Sequence, residues 1–240
     1  MASAELWLTL AIALVAGLIR GITGFGGAMV MTPPLSLLIG PKYAVLTALL
    51  LEVSAAANML PGALRQMRVR TIGPICVMAC VTVPLGTYLL VILDPELTRR
   101  WIAGMVIAFS ALMMVGFRYR GNPRLLMSAA LGALSGVLAG ATSIGAPPII
   151  LYLLASQDPV ALTRAHLIVY VTVVSSMGLG MLWVTGILDL QSGIRALAAA
   201  PFFIVGTLGG SRLFERVNES QFRKFTLMLL MAVSSVILMV

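Results

Sequence analysis

Eight stretches of this chain contain no Asp, Glu, Lys or Arg: 6–19, 21–41, 71–93, 101–117, 125–157, 165–188, 196–211 and 225–240. A helix needs about 20 mostly apolar residues to cross a bilayer. The runs are of that order, and little chain remains between them for a soluble domain. Only 10% of the 240 residues are charged and 60% are hydrophobic, where a soluble domain carries about 25% charged residues. A soluble enzyme, a disordered chain and a disulfide scaffold are excluded together. Barrel strands alternate in polarity at every second residue, whereas these runs are apolar on every face. The chain reads as an all-α polytopic membrane protein in contact with the lipid bilayer.

Ten segments can be drawn, at 5–19, 26–40, 43–62, 71–93, 101–117, 125–140, 145–156, 160–186, 192–212 and 222–239. The second and seventh are short, follow glycine-rich stretches and contain Pro33-Pro34 and Pro147-Pro148. They are expected to be re-entrant or broken, giving about 8–10 transmembrane or re-entrant segments. Sixteen basic residues, fourteen of them Arg, stand against eight acidic ones for a formal charge of +8. Such a balance can signal nucleic acid. Here the positive charges lie between lipid-length runs, so positive-inside placement accounts for them. Met1 to Glu5 lacks the basic region of a cleaved signal peptide, so the first run is expected to be a retained helix with its N-terminus outside.

Three arginine clusters orient the segments: Arg65, Arg68 and Arg70; Arg118, Arg120 and Arg124; and Arg212, Arg216 and Arg223 with Lys224. In the alternate loops Asp94 and Glu96 offset Arg99 and Arg100, and Asp189 offsets Arg195. One topology places all three clusters in the cytoplasm and both termini outside.

An internal repeat follows. Gly21-Ile22-Thr23-Gly24-Phe25-Gly26-Gly27 resembles Gly140-Ala141-Thr142-Ser143-Ile144-Gly145-Ala146 at an offset of 119. Pro41 falls near Pro159, Leu85-Gly86-Thr87 near Val205-Gly206-Thr207, and Arg99-Arg100-Trp101 near Arg223-Lys224-Phe225. The reading is two repeats of five segments, 1–120 and 121–240, forming one membrane domain. An odd count inverts the second repeat relative to the first, a common build of secondary transporters.

The glycine stretches are the candidate site. Unwound backbone at membrane depth must be buried in protein or line a watery cavity. A half-helix starting there directs free N–H groups and its positive dipole end at that cavity. Gly24, Gly26, Gly27 and Gly145 supply the backbone, and Thr23, Thr142 and Ser143 would add hydroxyl donors. Arg20, just before the first stretch, either binds an anion or snorkels to the interface. The bland alternative is that these small residues serve close helix packing. Glu52 and His166 are intramembrane ionisable residues and so candidates for coupling to protons. Structural hydrogen bonding is the alternative for each. Cys76 and Cys80 read as small core residues, and no metal site or cofactor is expected.

The first glycine stretch, with Pro33 beyond it, resembles the opening motif of the sulfite exporter TauE/SafE family. The second copy, the Arg-rich loop after segment three and Arg99-Arg100-Trp101 fit too, and the likeness covers nearly the whole chain. It departs at Ser143 and Ala146, where glycines are usual. The resemblance implies a bacterial inner-membrane permease of two related halves, for sulfite, organosulfonates or related sulfur compounds. The expected function is secondary transport of a small anion by alternating access around the glycine site. A non-transporting membrane subunit or an intramembrane enzyme is the alternative, though there is no ATP-binding loop, no H-E-x-x-H and no nucleophile elbow. An inside-negative potential favours anion export by about 2.3 kcal/mol per charge per 100 mV, so direction, coupling ion and oligomeric state stay open. The topology predicts that Met67→Cys, Asn122→Cys and Asn218→Cys, each in a background without Cys76 and Cys80, resist membrane-impermeant thiol reagents in intact cells. Outside labelling of any one of them contradicts it.

Overall fold

The computed structural model describes residues 3–23, 26–116, 125–153, 159–213 and 219–239. These residues form eleven helices and no strand: α1 Ser3–Thr23, α2 Gly27–Ile39, α3 Pro41–Gln66, α4 Val69–Ile92, α5 Pro95–Met114, α6 Leu125–Thr142, α7 Ala146–Leu153, α8 Val160–Val184, α9 Leu190–Leu197, α10 Ala200–Leu213 and α11 Glu219–Met239. Six stretches are long and apolar enough to cross a membrane, the α9–α10 pair among them. The bent α3 makes a seventh. The protein is a multi-pass helical membrane protein.

Local chemistry sets the breaks. Helix α5 begins six residues before the apolar run that announces it, because Asp94 caps it. The Asp94 carboxylate accepts from the N–H groups of Glu96 at 2.8 Å and Leu97 at 3.3 Å, with Pro95 in the first turn. The ninth expected segment is two helices. Pro201 lacks an N–H and resists an uninterrupted helix through the turn before it, so the chain breaks at 198–199 and restarts as α10. Helix α9 starts on a capping box between Asp189 and Ser192. The Ser192 N–H and hydroxyl hold the exposed Asp189 carboxyl below its usual range. Helix α3 bends by 71° between 41–56 and 59–66, beside Pro61 inside the helix; a proline there lacks the N–H for the helical bond and kinks the turn before it.

Helix α2 stays short. At 1.5 Å per residue it is about 20 Å long, against a hydrocarbon core of about 30 Å, and does not span alone. Helix α7 is described from Ala146 to Leu153. Each starts in the interior, at Gly26 and at residues 143–145.

Helix ends fall into two groups. At one end Lys42 Nζ donates to the Val91 carbonyl at 2.9 Å, joining the start of α3 to the end of α4. Glu5, Ile39, Tyr43 and Arg195 meet around one cavity at that end. Trp7, Trp101 and Trp183, all well exposed, lie near it as well, an aromatic belt. At the other end the Arg68 N–H donates to His166 Nε2 at 2.9 Å, and Arg65, Arg68 and Arg70 are exposed. Helix α4 shows the division by face. Val77, Val81, Leu85, Tyr88 and Ile92 point outward, and Ile72, Ile75, Ala79, Val83 and Leu90 are buried.

The tightest pairs are α4 with α6 and α1 with α10, and α3 pairs with α8 and α5 with α11. Glycines make the first two contacts. Gly132, Gly136 and Gly140 of α6 abut the backbone at Ile75, Ala79 and Val83. Gly17 and Gly21 of α1 abut Phe203 and Thr207, and Gly206 and Gly210 answer against Leu14 and Leu18. This is small-xxx-small packing. Gly17 and Gly21 precede Gly136 and Gly140 by the same 119 residues. A methyl at Gly21 would overlap the Thr207 carbonyl and come within 2.8 Å of Ser211 N, whereas Gly104 has open space. Gly21→Ala should therefore destabilise by about 1–3 kcal/mol. Gly104→Ala should be neutral or stabilise by up to about 1 kcal/mol. Thermal unfolding in detergent tests both, and equal melting of the two variants contradicts the packing account.

Candidate functional site

Helix α2 starts abruptly. Gly26 precedes it with φ 88° and no side chain caps it, a conformation that glycine adopts at little cost. The first-turn N–H groups of a helix have no partner within the helix. Here the Ala28 N–H donates to Glu52 Oε1 of α3 at 3.0 Å. The other carboxylate oxygen of Glu52 forms an ion pair with the Arg20 guanidinium of α1, and both side chains are only 4% exposed. Arg20 also lies 5.9 Å from the centre of the Phe203 ring of α10, within cation–π range. Gly27 lets α2 come this close. A Cβ there would stand 2.7 Å from Glu52 Oε1 and 3.0 Å from the Phe203 ring.

The second break is built alike with neutral groups. The Ser135 hydroxyl of α6 hydrogen-bonds the Gly145 carbonyl and the Tyr170 hydroxyl of α8. Thr32 of α2 and Ser143 share a hydrogen bond of 2.7 Å, which ties the two breaks together. Ser143 itself is held at φ 62°. Between the breaks lies a cavity bordered by Arg20, Gly26, Glu52, Ser143, Gly145 and Tyr170. It offers about 30 Å³ to water centres, room for about two waters. A wider cavity of about 260 Å³ opens at the tryptophan-bearing end, bordered by Glu5, Thr9, Tyr43, Ser192 and Arg195.

The sequence-derived candidates separate here. Arg20, Gly26, Glu52, Ser143 and Gly145 meet at the cavity, with Gly27 behind Glu52. Gly24 lies outside the described residues. The two threonines do not offer free donors. The Thr23 hydroxyl donates to the Ile19 carbonyl and the Thr142 hydroxyl to the Leu138 carbonyl, each four residues back. Thr23 borders a separate small pocket beside Thr226. His166 of α8 is buried, accepts from the Arg68 N–H at the start of α4, and is not among the residues bordering the cavity. Gly145 and Gly26 are not equivalent. A Cβ at Gly145 would meet Ala139 Cβ and the Ser135 carbonyl at 2.6 Å, while one at Gly26 would meet nothing. Sequence reasoning missed Thr32, Ser135 and Phe203. Tyr170 stands 118 residues after Glu52, close to the repeat offset of 119, and that spacing is the signal for it.

Interrupted helices that start at a buried polar cavity inside a helical bundle are a build of secondary transporters. The sequence profile of the family described as sulfite exporter TauE/SafE matches residues 9–237. The chain belongs to that family, and the family is one of membrane transporters. No curated protein and no solved structure matches it.

Breaking a buried ion pair on one side strands a charge at a cost of about 3–5 kcal/mol, whereas removing both charges together is far milder. Arg20→Gln and Glu52→Gln should each lower the melting temperature in detergent, and the double variant should regain at least half of the larger loss. Additive losses contradict a direct pairing.

Proposed function

We propose that the protein is a secondary transporter of a small anion in a bacterial inner membrane, with sulfite, an organosulfonate or a related sulfur compound as substrate. The observation that carries this is a buried guanidinium at a cavity between two interrupted helices, beside the N-terminus of one of them. A guanidinium presents a fixed fork of donors to an oxyanion. A helix N-terminus adds oriented N–H groups and a positive dipole end.

The substrate ligands in this reading are Arg20, the backbone at Gly26–Ala28, and Ser143 and Gly145. Residues 1–120 and 121–240 act as inverted halves that rock against each other around the site. The helix pairing supports this. The first long helix of each half packs on the fourth segment of the other, α1 on α10 and α6 on α4, and third pairs with third and fifth with fifth. Exchange of the halves reproduces the same set. The cavity around Glu5 and Arg195 serves as the outer vestibule, opposite the arginine-rich end.

Flux of sulfite and thiosulfate in proteoliposomes of the pure protein tests the reading. A non-transporting subunit or an enzyme gives no flux. Gly26→Ala is the site variant of choice, because space is open there and only the positive φ and the entry to the cavity are affected. The left-handed strain of about 1–2 kcal/mol falls on folding and leaves most of the protein folded, while the Cβ added at the cavity entry should lower flux about tenfold, a change of about 1.4 kcal/mol. Full flux in a well-folded Gly26→Ala protein places the site elsewhere.

A further inference from the structure

We infer that the Glu52 carboxylate is a built-in competitor of the transported anion: it occupies the Arg20 guanidinium and the α2 N-terminus, so an anion binds only when Glu52 takes up a proton. This rests on the transport reading above and adds its coupling. The carboxylate is itself an oxyanion, and its two oxygens engage the two donors that the substrate needs, the Ala28 N–H and Arg20. The position chosen for the substrate is therefore already filled by an anion from within the chain.

The second half indicates that this charge is not required to close the joint. Tyr170 follows Glu52 by 118 residues and Ala139 follows Arg20 by 119. There the long helix, the first helix of the half and the broken segment are joined by the hydroxyls of Ser135 and Tyr170 and the Gly145 carbonyl. Neutral hydrogen bonds do what the charged pair does in the first half. Burying two charges carries a desolvation cost that such bonds avoid, so the pair calls for a role beyond holding α2 in place.

Charge balance at the Arg20–Glu52 pair, with Arg164 directed to the Gly21 carbonyl, gives the stoichiometry of this coupling. Arg20 with ionised Glu52 is neutral. A monoanion added to that pair would leave two negative charges facing one guanidinium in a water-poor cavity. If Glu52 takes a proton from the loading side, its O–H is neutral and the anion replaces the carboxylate on Arg20, so the balance is restored. On the opposite side the anion leaves, the proton leaves, and the carboxylate returns to Arg20. One proton travels with each monoanion, and the step moves no net charge. The other ionisable groups around Glu52 are few. Arg164 of α8 donates to the Gly21 carbonyl at 3.4 Å and lies within electrostatic reach of Arg20. Tyr170 borders the same cavity. Helix α2 carries no ionisable residue, and the single one on α10, Arg212, is exposed in its last turn.

The test is calorimetric titration of the purified protein with methanesulfonate, thiosulfate and sulfite, in pairs of buffers that differ in ionisation enthalpy. The first two anions stay fully ionised near neutral pH, so any proton taken up belongs to the protein. About one proton per methanesulfonate is expected where Glu52 is ionised, with affinity falling about tenfold per pH unit, as reciprocity of proton and anion binding requires. Glu52→Gln should bind methanesulfonate with no proton uptake and no such slope. If that variant does not fold, the proton count on the unaltered protein decides. Binding of methanesulfonate or thiosulfate without proton uptake, or uptake unchanged in Glu52→Gln, overturns the coupling while leaving the transport reading intact. Failure of all three anions to bind the folded protein overturns the anion site and the coupling with it.

Discussion

Helix α2 begins inside the protein, and the N–H groups of its first turn have to find acceptors there. No water-rich surface is at hand, and an unsatisfied buried amide costs several kcal/mol. Glu52 answers that need at Ala28. A buried carboxylate then needs a counter-charge, and Arg20 provides it. A buried guanidinium needs a setting in turn, and the Phe203 ring of α10 provides one face. One interrupted helix thus recruits α3, α1 and α10 in sequence. The glycine contacts that press α1 on α10 place Arg20 and Phe203 within reach of each other.

The two breaks differ in chemistry. The second break uses Ser135 and Tyr170, which are neutral and close the joint between α6 and α8. The first uses charges. The cavity has one charged wall, at Arg20 and Glu52, and one hydroxyl-bearing wall, at Ser143 and Tyr170.

Much of the architecture is legible in the residues. The uncharged runs mark the helices because lipid tolerates few charges, and Pro33-Pro34 and Pro147-Pro148 mark the two short segments that structure makes α2 and α7. The signal fails where capping or proline geometry overrides hydropathy. Asp94-Pro95 starts α5 early, and Pro201 cuts the ninth segment in two. Around the site, Arg20 and Glu52 each stand out as charges among apolar residues, but their pairing across 32 positions carries no local signature. Thr23 and Thr142 look like ligand donors in sequence. In a helix, however, a threonine hydroxyl readily bonds the carbonyl four residues back, and both do. Thr32, which joins the two breaks through Ser143, looks like any small residue of an apolar run. Gly21 and Gly140, part of the repeated motif, serve helix packing, whereas Gly26 and Gly145 border the cavity.

The central claim is that Arg20 and the α2 N-terminus hold the substrate once Glu52 lets go. A structure of the protein at mildly acidic pH with selenate, located by the anomalous scattering of selenium, tests this directly. The account predicts a selenium peak between the Arg20 guanidinium and the Gly26–Ala28 backbone, with the Glu52 carboxyl displaced from Arg20. A selenium peak confined to the Arg195 vestibule, with Glu52 still paired to Arg20, contradicts it.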